Sequence, residues 1–177
     1  MRVAYADPPY IGQAKRHYGC EEIDHAQLIE RLCIEFPDGW ALSASSPSLR
    51  QILPLCPGDV RIAAWVKNFS VFKRGVRPAY AWEPVLYRGG RNPPLVKAVV
   101  PPKNGAQVTP KDFIVCPITL KRGLVGAKPE AVCRWILSLL NVAPGDEVVD
   151  LFPGTGAMTR VAAGVLGNGM GMNKADQ

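Results

Sequence analysis

The sequence is poor in the residues that build metal sites, and it has no long apolar run. It contains 2 histidines, too few for a His-rich zinc or di-iron site. Its 5 cysteines show no CxxC spacing, which predicts reduced thiols rather than a disulfide framework. Its apolar runs are too short to cross a bilayer, and its first residues lack the apolar segment of a secretion signal. We therefore expect a cytoplasmic protein without a membrane partner or a metal.

The length and composition are those of one folded domain. The chain has 177 residues, of which 47% are hydrophobic and 20% are charged, and this is typical of a folded protein. Apolar runs alternate with helical patterns, which predicts an α/β fold with a mostly parallel sheet and helices on both faces. The predicted strands are Arg2–Asp7, Trp40–Ala44, Val60–Val66, Glu83–Tyr87, Glu147–Phe152 and Gly169–Asn173. The predicted helices follow the N-caps Asp24 and Ser46, the first-turn Pro129 and the turn at Gly156.

Positive charge is concentrated in the middle of the chain. Residues 61–128 carry 13 basic and 2 acidic residues, whereas both flanking stretches are mildly acidic. This asymmetry favours binding of a polyanion, although a solvated basic surface is the alternative. Within this block, residues 92–118 contain 6 prolines. Because proline breaks helices and ladders, we expect an extended excursion there rather than a core element.

The tetrapeptide Asp7-Pro8-Pro9-Tyr10 directly follows the first predicted strand, at the end of a strand where parallel sheets bind ligands. An exocyclic amino group on a planar base is a weak nucleophile, because its lone pair is delocalised. The Asp7 carboxylate and the Pro8 carbonyl could each accept one N–H of such a group, and the Tyr10 ring could stack on the base. The alternative is an ordinary Asp-Pro turn with a packed tyrosine.

A second motif, Asp150-Leu151-Phe152-Pro153-Gly154-Thr155-Gly156, joins a predicted strand to a helix through a glycine turn. Glycines let a ligand approach the backbone, and a helix N-terminus offers unpaired N–H groups. The Asp150 carboxylate suits an ammonium or a hydroxyl. As a dinucleotide fingerprint the motif is incomplete, because Thr159 stands where the third glycine belongs, and it lacks the lysine of a P-loop.

With both motifs in one chain, the sequence resembles the S-adenosylmethionine-dependent DNA N6-adenine methyltransferases. DPPY matches the catalytic motif of that family, and residues 150–156 match its DxFxGxG cofactor motif. The catalytic motif comes first, and Gly126-Ala127-Lys128-Pro129 precedes the cofactor motif, which resembles the permuted order of the beta class in small phage or bacterial enzymes. Residues 82–87 resemble the strand after the catalytic region. The resemblance implies a circularly permuted, Rossmann-like class I methyltransferase fold.

The resemblance also implies a division of the chain and a role for each matching position. One methyltransferase domain would span 1–177, with a catalytic half (1–91), a target-recognition insertion (92–118) and a cofactor-binding half (119–177). Catalysis would fall to Asp7, Pro8, Pro9 and Tyr10, with Tyr10 stacked on an adenine flipped out of double-stranded DNA. S-adenosylmethionine would be bound by Asp150, Phe152, Gly154, Thr155 and Gly156. Lys128 and Pro129 would lie near its methionine carboxylate, although a solvated charge is an equal alternative for Lys128.

Nucleic-acid contacts are expected from the basic block. The candidates are Lys73, Arg74, Arg77, Arg91, Lys97, Lys103 and Lys111. Flexible lysines of the excursion suit phosphates, whereas arginines such as Arg77 and Arg91 suit bidentate reading of bases.

Two features depart from the family pattern. Asn173 stands where an acidic residue usually binds the ribose, and Gln177 comes before the helix and strand that complete the family's adenine pocket. A truncated product, a homodimer and a minimal enzyme are all compatible with this pattern. Three alternatives to DNA adenine methylation also stay open: methylation of RNA adenine, methylation of cytosine-N4, and an inactive nucleic-acid-binding relative. The resemblance places the protein in a bacterial cell or a phage-infected host.

Overall fold

The computed structural model describes residues 1–15, 19, 21–69, 75–92, 110–119 and 127–167. These residues form six strands and four α-helices. The strands are β1 (Arg2–Ala6), β2 (Gly39–Ser43), β3 (Arg61–Val66), β4 (Trp82–Gly89), β5 (Phe113–Val115) and β6 (Glu147–Asp150). The helices are α1 (His25–Glu35), α2 (Leu49–Ile52), α3 (Glu130–Leu139) and α4 (Ala157–Gly167). Among the described helices, none is long and apolar enough to cross a membrane.

The six strands form one sheet in the order β5-β3-β4-β2-β1-β6. Strand β1 is parallel to β2 and to β6, and β3 is parallel to β5, whereas β4 is antiparallel to both of its neighbours. The fold is therefore α/β and Rossmann-like, which confirms the predicted class. Strands β1, β2, β3 and β6 end at one edge of the sheet, here called the carboxyl edge, and β4 begins there.

The alternation of side chains along β1 divides the core into two layers. Val3 and Tyr5 belong to a cluster with the buried sides of α3 and α4. Ala4 and Ala6 point to the other face and pack in a cluster with α1. Because successive residues of a strand face opposite sides, a fully buried strand needs helices on both faces, as the sequence predicted. Asp24 caps α1 by accepting hydrogen bonds from the backbone of Ala26 and Gln27.

Three local predictions were wrong. The helix expected to open at Ser46 begins after Ser45 and is broken into a 3-10 turn, α2 and a second 3-10 turn. Pro54 lacks the N–H that a continuous helix would need there, whereas Pro47 lies in the first turn, where proline is tolerated. Pro129 is the N-cap of α3 rather than its first turn, because its ψ of 142° is extended. Residues 113–115 of the expected excursion pair with β3 as an edge strand. The predicted strand at 169–173 lies outside the described residues.

Candidate active site

The two motifs meet because their strands are neighbours. Strand β1 runs parallel to β6, with Tyr5 opposite Asp150, so Asp7 and the glycine turn both leave the sheet at the carboxyl edge. They line one pocket, whose walls are Tyr5, Asp7, Ala127, Lys128, Cys133, Asp150, Phe152, Pro153, Gly154, Thr155, Ala157 and Met158. The sequence predicted each motif separately, and the sheet order brings them together.

The Asp7 carboxylate is held by a buried lysine. Lys128 Nζ lies 2.8 Å from Asp7 Oδ1 and 3.0 Å from Oδ2, and the exposed fractions of the two side chains are 8% for Lys128 and 19% for Asp7. Burial raises the pKa of the Asp7 carboxyl above its usual range, and the ammonium of Lys128 opposes that rise. For Lys128, burial disfavours the charge, but the carboxylates of Asp7 and Glu83 outweigh it and raise the pKa of the amine. Lys128 is therefore a cation beside the carboxylate at physiological pH.

The Tyr10 hydroxyl is tied to the same lysine and to a second carboxylate. It donates a hydrogen bond of 2.6 Å to Glu83 Oε2 and accepts one of 3.0 Å from Lys128 Nζ. Glu83 also lies 3.4 Å from Lys128 Nζ and forms an ion pair with Lys67. Burial alone would raise the pKa of Glu83, but the two lysines outweigh it and hold that pKa below its usual range. Glu83 is thus an anion between two cations.

Glu83 and Lys67 were not among the predicted site residues. Glu83 lies at the start of β4 and Lys67 directly after the end of β3, and both of these places are at the carboxyl edge. The ring of the buried Trp65 lies 5.0 Å from Lys67 Nζ and 5.8 Å from Lys128 Nζ, a distance at which a ring face attracts an ammonium. One feature of the sequence could have singled out Glu83: residues 61–128 contain 13 basic residues and only two acidic ones, of which Glu83 is one.

The Asp150 carboxylate is fixed within the glycine turn. One of its oxygens accepts a hydrogen bond from the Phe152 backbone at 3.3 Å, and the other accepts one from the Thr159 hydroxyl at 3.1 Å. Burial raises the pKa of Asp150, and these hydrogen bonds oppose the rise. Gly154 has a φ of +47°, and a Cβ there would meet only the Phe152 carbonyl oxygen, at 3.8 Å. The backbone at Gly154 therefore leaves room for a ligand.

The structure excludes one of the two alternatives for Lys128. A solvated charge is wrong, because the side chain is buried and bound to Asp7 and Tyr10. Lys128 does line the pocket that Gly154 and Asp150 share, and Pro129 follows it as the N-cap of α3. Of the two prolines that follow Asp7 in the sequence, Pro8 is buried and Pro9 is half-buried. Burial raises the pKa of the pocket's Cys133 thiol to about 12, so this thiol is neutral at physiological pH.

The predicted nucleic-acid contacts are dispersed in the fold. Arg77 is exposed on the connection between β3 and β4, which leaves from the carboxyl edge. Lys111 precedes β5, and its backbone carbonyl accepts a hydrogen bond from Trp135. Arg91 follows β4 at the opposite edge, where it binds Asp146 at 2.8 Å; this placement away from the pocket argues against base reading by Arg91. Lys73, Arg74, Lys97, Lys103 and the cofactor candidate Asn173 lie outside the described residues.

A larger groove of about 580 Å³ lies beside α1 and is lined by Ile11, Gly12, Glu22, Ile23, Asp24, His25, Ala26, Gln51 and Leu55. It is wide and shallow, and its walls include no residue of either motif. Asp7, Lys128 and Asp150 line the smaller pocket at the carboxyl edge, which is therefore the candidate active site. Tyr10 is not among the walls of this pocket but is bound to it through Lys128.

Solved structures with the same arrangement of strands and helices include two crystal structures of M1.HpyAVI. The chain shares its fold with M1.HpyAVI. A crystal structure of the M1.HpyAVI–SAM complex matches with a TM-score of 0.56 and 20% identity, over 92% of this chain and 78% of that chain. A second crystal structure of M1.HpyAVI matches with a TM-score of 0.55 and 19% identity, over 93% and 76% of the two chains. No protein-family model and no curated protein sequence matches the chain.

Proposed function

We propose that this protein is an S-adenosylmethionine-dependent DNA methyltransferase that methylates the N6 amino group of adenine. The observation that carries the proposal is the shared pocket: the Asp7 carboxylate after β1 and the glycine turn after β6 face one cavity. Amino methylation needs an acceptor for the amino N–H groups next to a site for a methyl donor. The likeness in fold to a protein crystallised with SAM supports the same assignment.

The residues of the pocket fit this cofactor. Gly154 leaves open space beside the backbone, and the hydrogen-bonded Asp150 carboxylate suits the ammonium or a hydroxyl of the ligand. S-adenosylmethionine would supply a methyl group activated by its sulfonium charge: the amino nitrogen would form the new bond to this methyl group, the neutral thioether would leave, and the methylated amine would then give up one proton. The protein's part is to orient the acceptor amine toward that methyl group and to exclude other geometries, a contribution that is large when the reacting atoms are held close together.

Asp7 and Tyr10 supply the orientation of the base. Each carboxylate oxygen has two lone pairs, so Asp7 can accept an amino N–H while it stays bound to Lys128. That hydrogen bond draws electron density toward the amino nitrogen and makes it a better nucleophile. The half-buried Tyr10 ring, which is tethered through its hydroxyl, offers a face on which the base can stack, and stacking of this kind is worth about 1–3 kcal/mol.

The target adenine has to leave the duplex to reach this pocket, which costs a few kcal/mol. We propose that phosphate contacts from the basic block at 61–128 offset this cost. Among the described residues, we propose Arg77 for such contacts, because it is exposed on the connection between β3 and β4. Function in the cytoplasm of a bacterial cell or a phage-infected host, and assembly as a homodimer, are part of the proposal.

The deciding experiment is a methyl-transfer assay with labelled S-adenosylmethionine and duplex DNA. The product is hydrolysed to identify the methylated base, and the modified DNA is sequenced to locate it. We expect N6-methyladenine at a short site. N4-methylcytosine, methylation of RNA alone, or nucleic-acid binding without any transfer would each replace the proposal by one of its alternatives.

A variant of Asp7 then tests the assignment of the site. Asp7→Ala is expected to abolish transfer and to leave the dissociation constant of the cofactor within a few fold, because the main partner of Asp7 is the base. Asp59→Ala removes an exposed carboxylate, paired with Arg88 away from the pocket, and serves as the control with normal transfer. Transfer at a near wild-type rate by Asp7→Ala would show that the catalytic site lies elsewhere.

A further inference from the structure

Four charged side chains with alternating signs run along the carboxyl edge. Their order in space is Lys67, Glu83, Lys128 and Asp7, and each contacts the next. The exposed fractions of these side chains are 17%, 16%, 8% and 19%. Two positive and two negative charges cancel, which makes the burial of all four tolerable, since a buried charge needs a partner.

Glu83 occupies the centre of this row. Its Oε2 accepts the hydrogen bond of Tyr10 at 2.6 Å and lies 3.4 Å from Lys128 Nζ, while its Oε1 binds Lys67. The carboxylate itself lines no part of the pocket. Glu83 therefore contacts both of the groups that hold the proposed adenine site in place: the lysine that binds Asp7 and the hydroxyl of the stacking tyrosine.

We propose that Glu83 and Lys67 are positioning residues, which fix Lys128 and Tyr10. The Asp7 carboxylate and the Tyr10 ring would thereby keep a constant position and orientation relative to the base. This inference rests on the proposed function, because it assigns these residues a role in that same site. Neither residue would contact the base. They act through the tether of Tyr10 and the placement of the Lys128 ammonium, and errors of about 1 Å in such placement can cost up to ~100-fold in rate.

The ionisation of Asp7 provides a readout that a merely structural role would not move. The titratable groups that interact with Asp7 are Lys128 before α3, Cys133 on α3, Glu83 on β4, Asp150 on β6 and Tyr5 on β1. Lys128 favours the ionised carboxylate, whereas Glu83 and Asp150 oppose it. Replacing Glu83 by glutamine removes one of the two opposing anions, and the pKa of Asp7 should therefore fall.

The experiment compares Glu83→Gln with the control Asp59→Asn, which makes the same carboxylate-to-amide change at an exposed ion pair. The pKa of Asp7 is measured in the free protein by carbon NMR of labelled aspartate carboxyl groups, with Asp7→Asn for assignment. We expect Glu83→Gln to lower that pKa and to lower kcat roughly tenfold to 100-fold, with the cofactor dissociation constant within about threefold. Asp59→Asn should change neither quantity.

Each result bears on the inference separately from the proposed function. Wild-type protein without methyl transfer would end the proposed function, while the pKa measurement would still report whether Glu83 acts on Asp7. If the wild type is active and folded Glu83→Gln has an unchanged kcat, the positioning role is overturned, whether or not the pKa of Asp7 falls. If Glu83→Gln lowers kcat, cofactor affinity and the melting temperature together, Glu83 has only a structural role and the inference fails.

A second variant covers the case in which Glu83→Gln does not fold. Tyr10→Phe keeps the aromatic ring and removes only the hydroxyl that reaches Glu83 and Lys128. If the tether matters, kcat falls by roughly tenfold while the ring still stacks. A kcat equal to that of the wild type would show that the ring needs no tether, and the inference would fail.

Discussion

Replacing Lys128 by methionine removes the cation that two buried carboxylates share. Asp7 and Glu83 would stay in place with exposed fractions of only 19% and 16%. Removing one partner of a buried pair typically costs about 3–5 kcal/mol, because the remaining charge is left without compensation. Lys67 still neutralises Glu83, so we expect the lower end, about 3 kcal/mol. For a domain of this size that corresponds to a fall in Tm of about 6–12 °C.

The loss should depend on pH, and its sign follows from Asp7. Without Lys128, burial raises the pKa of Asp7 further above its unfolded value. A carboxyl whose folded pKa is raised costs stability at pH values above that pKa, and the cost disappears as pH falls and the group takes up its proton. The free-energy difference between wild type and Lys128→Met should therefore be largest near pH 8 and smaller near about pH 5.5.

The assay is urea unfolding at these two pH values, followed by tryptophan fluorescence. Arg134→Met is the matched control, because Arg134 pairs with Glu130 on α3 at exposed fractions of 60% and 52%. Such surface pairs contribute about 0–1 kcal/mol, so the control should change little at either pH. A loss below about 1 kcal/mol in Lys128→Met, or a loss that is equal at both pH values, would refute the view that Lys128 is the buried counter-ion of Asp7.

Three further results are expected. Gly154→Val should weaken cofactor binding, measured by calorimetry, by at least tenfold, which is about 1.4 kcal/mol. The control Gly145→Val, which also has a positive φ (+88°) but lies outside the pocket, should leave binding unchanged. If both variants bind the cofactor equally well, the cofactor site does not include Gly154. Replacing Lys97, Lys103 and Lys111 by glutamine should reduce the salt dependence of DNA affinity by up to about 3 in log–log slope, and an identical slope would exclude phosphate contacts there. Arg77→Gln should alter which DNA sites are methylated, whereas Arg91→Gln should leave them unchanged, and sequencing of the modified DNA measures both outcomes. Arg91→Gln should instead lower the melting temperature, because it loses the ion pair with Asp146.

The sequence was sufficient for the parts of the fold that depend on local pattern. The period of apolar residues predicted β1, α1 and α3, and the turn residues around Gly39 and Gly145 marked where elements end. Both motifs were placed correctly at the ends of strands. The rule that ligands bind at the carboxyl ends of parallel strands predicted where each motif lies, and the pairing of β1 with β6 joined them in one pocket.

The parts of the candidate site that the sequence did not predict depend on pairing over long distances. Lys128 and Asp7 are 121 residues apart in the chain, and no local pattern links them. The direction of β4 was also not predicted, because periodicity identifies a strand but not its neighbours. That direction places Glu83 at the carboxyl edge and Arg91 at the opposite edge. The charge of the basic block was visible in the sequence, whereas the partners of each charge depended on strand order.

The charge of the pocket bears on what the glycine turn binds. The third glycine of a dinucleotide fingerprint allows close packing of helix and strand near a pyrophosphate. Here Thr159 takes that position, and its hydroxyl donates a hydrogen bond to Asp150. A glycine has no side chain with which to fix this carboxylate. The pocket then contains the carboxylates of Asp7 and Asp150 and the ammonium of Lys128. This balance repels a pyrophosphate and attracts a ligand with positive charge, which a sulfonium and an amino-acid ammonium provide. A nicotinamide dinucleotide is accordingly the poorer occupant of this site.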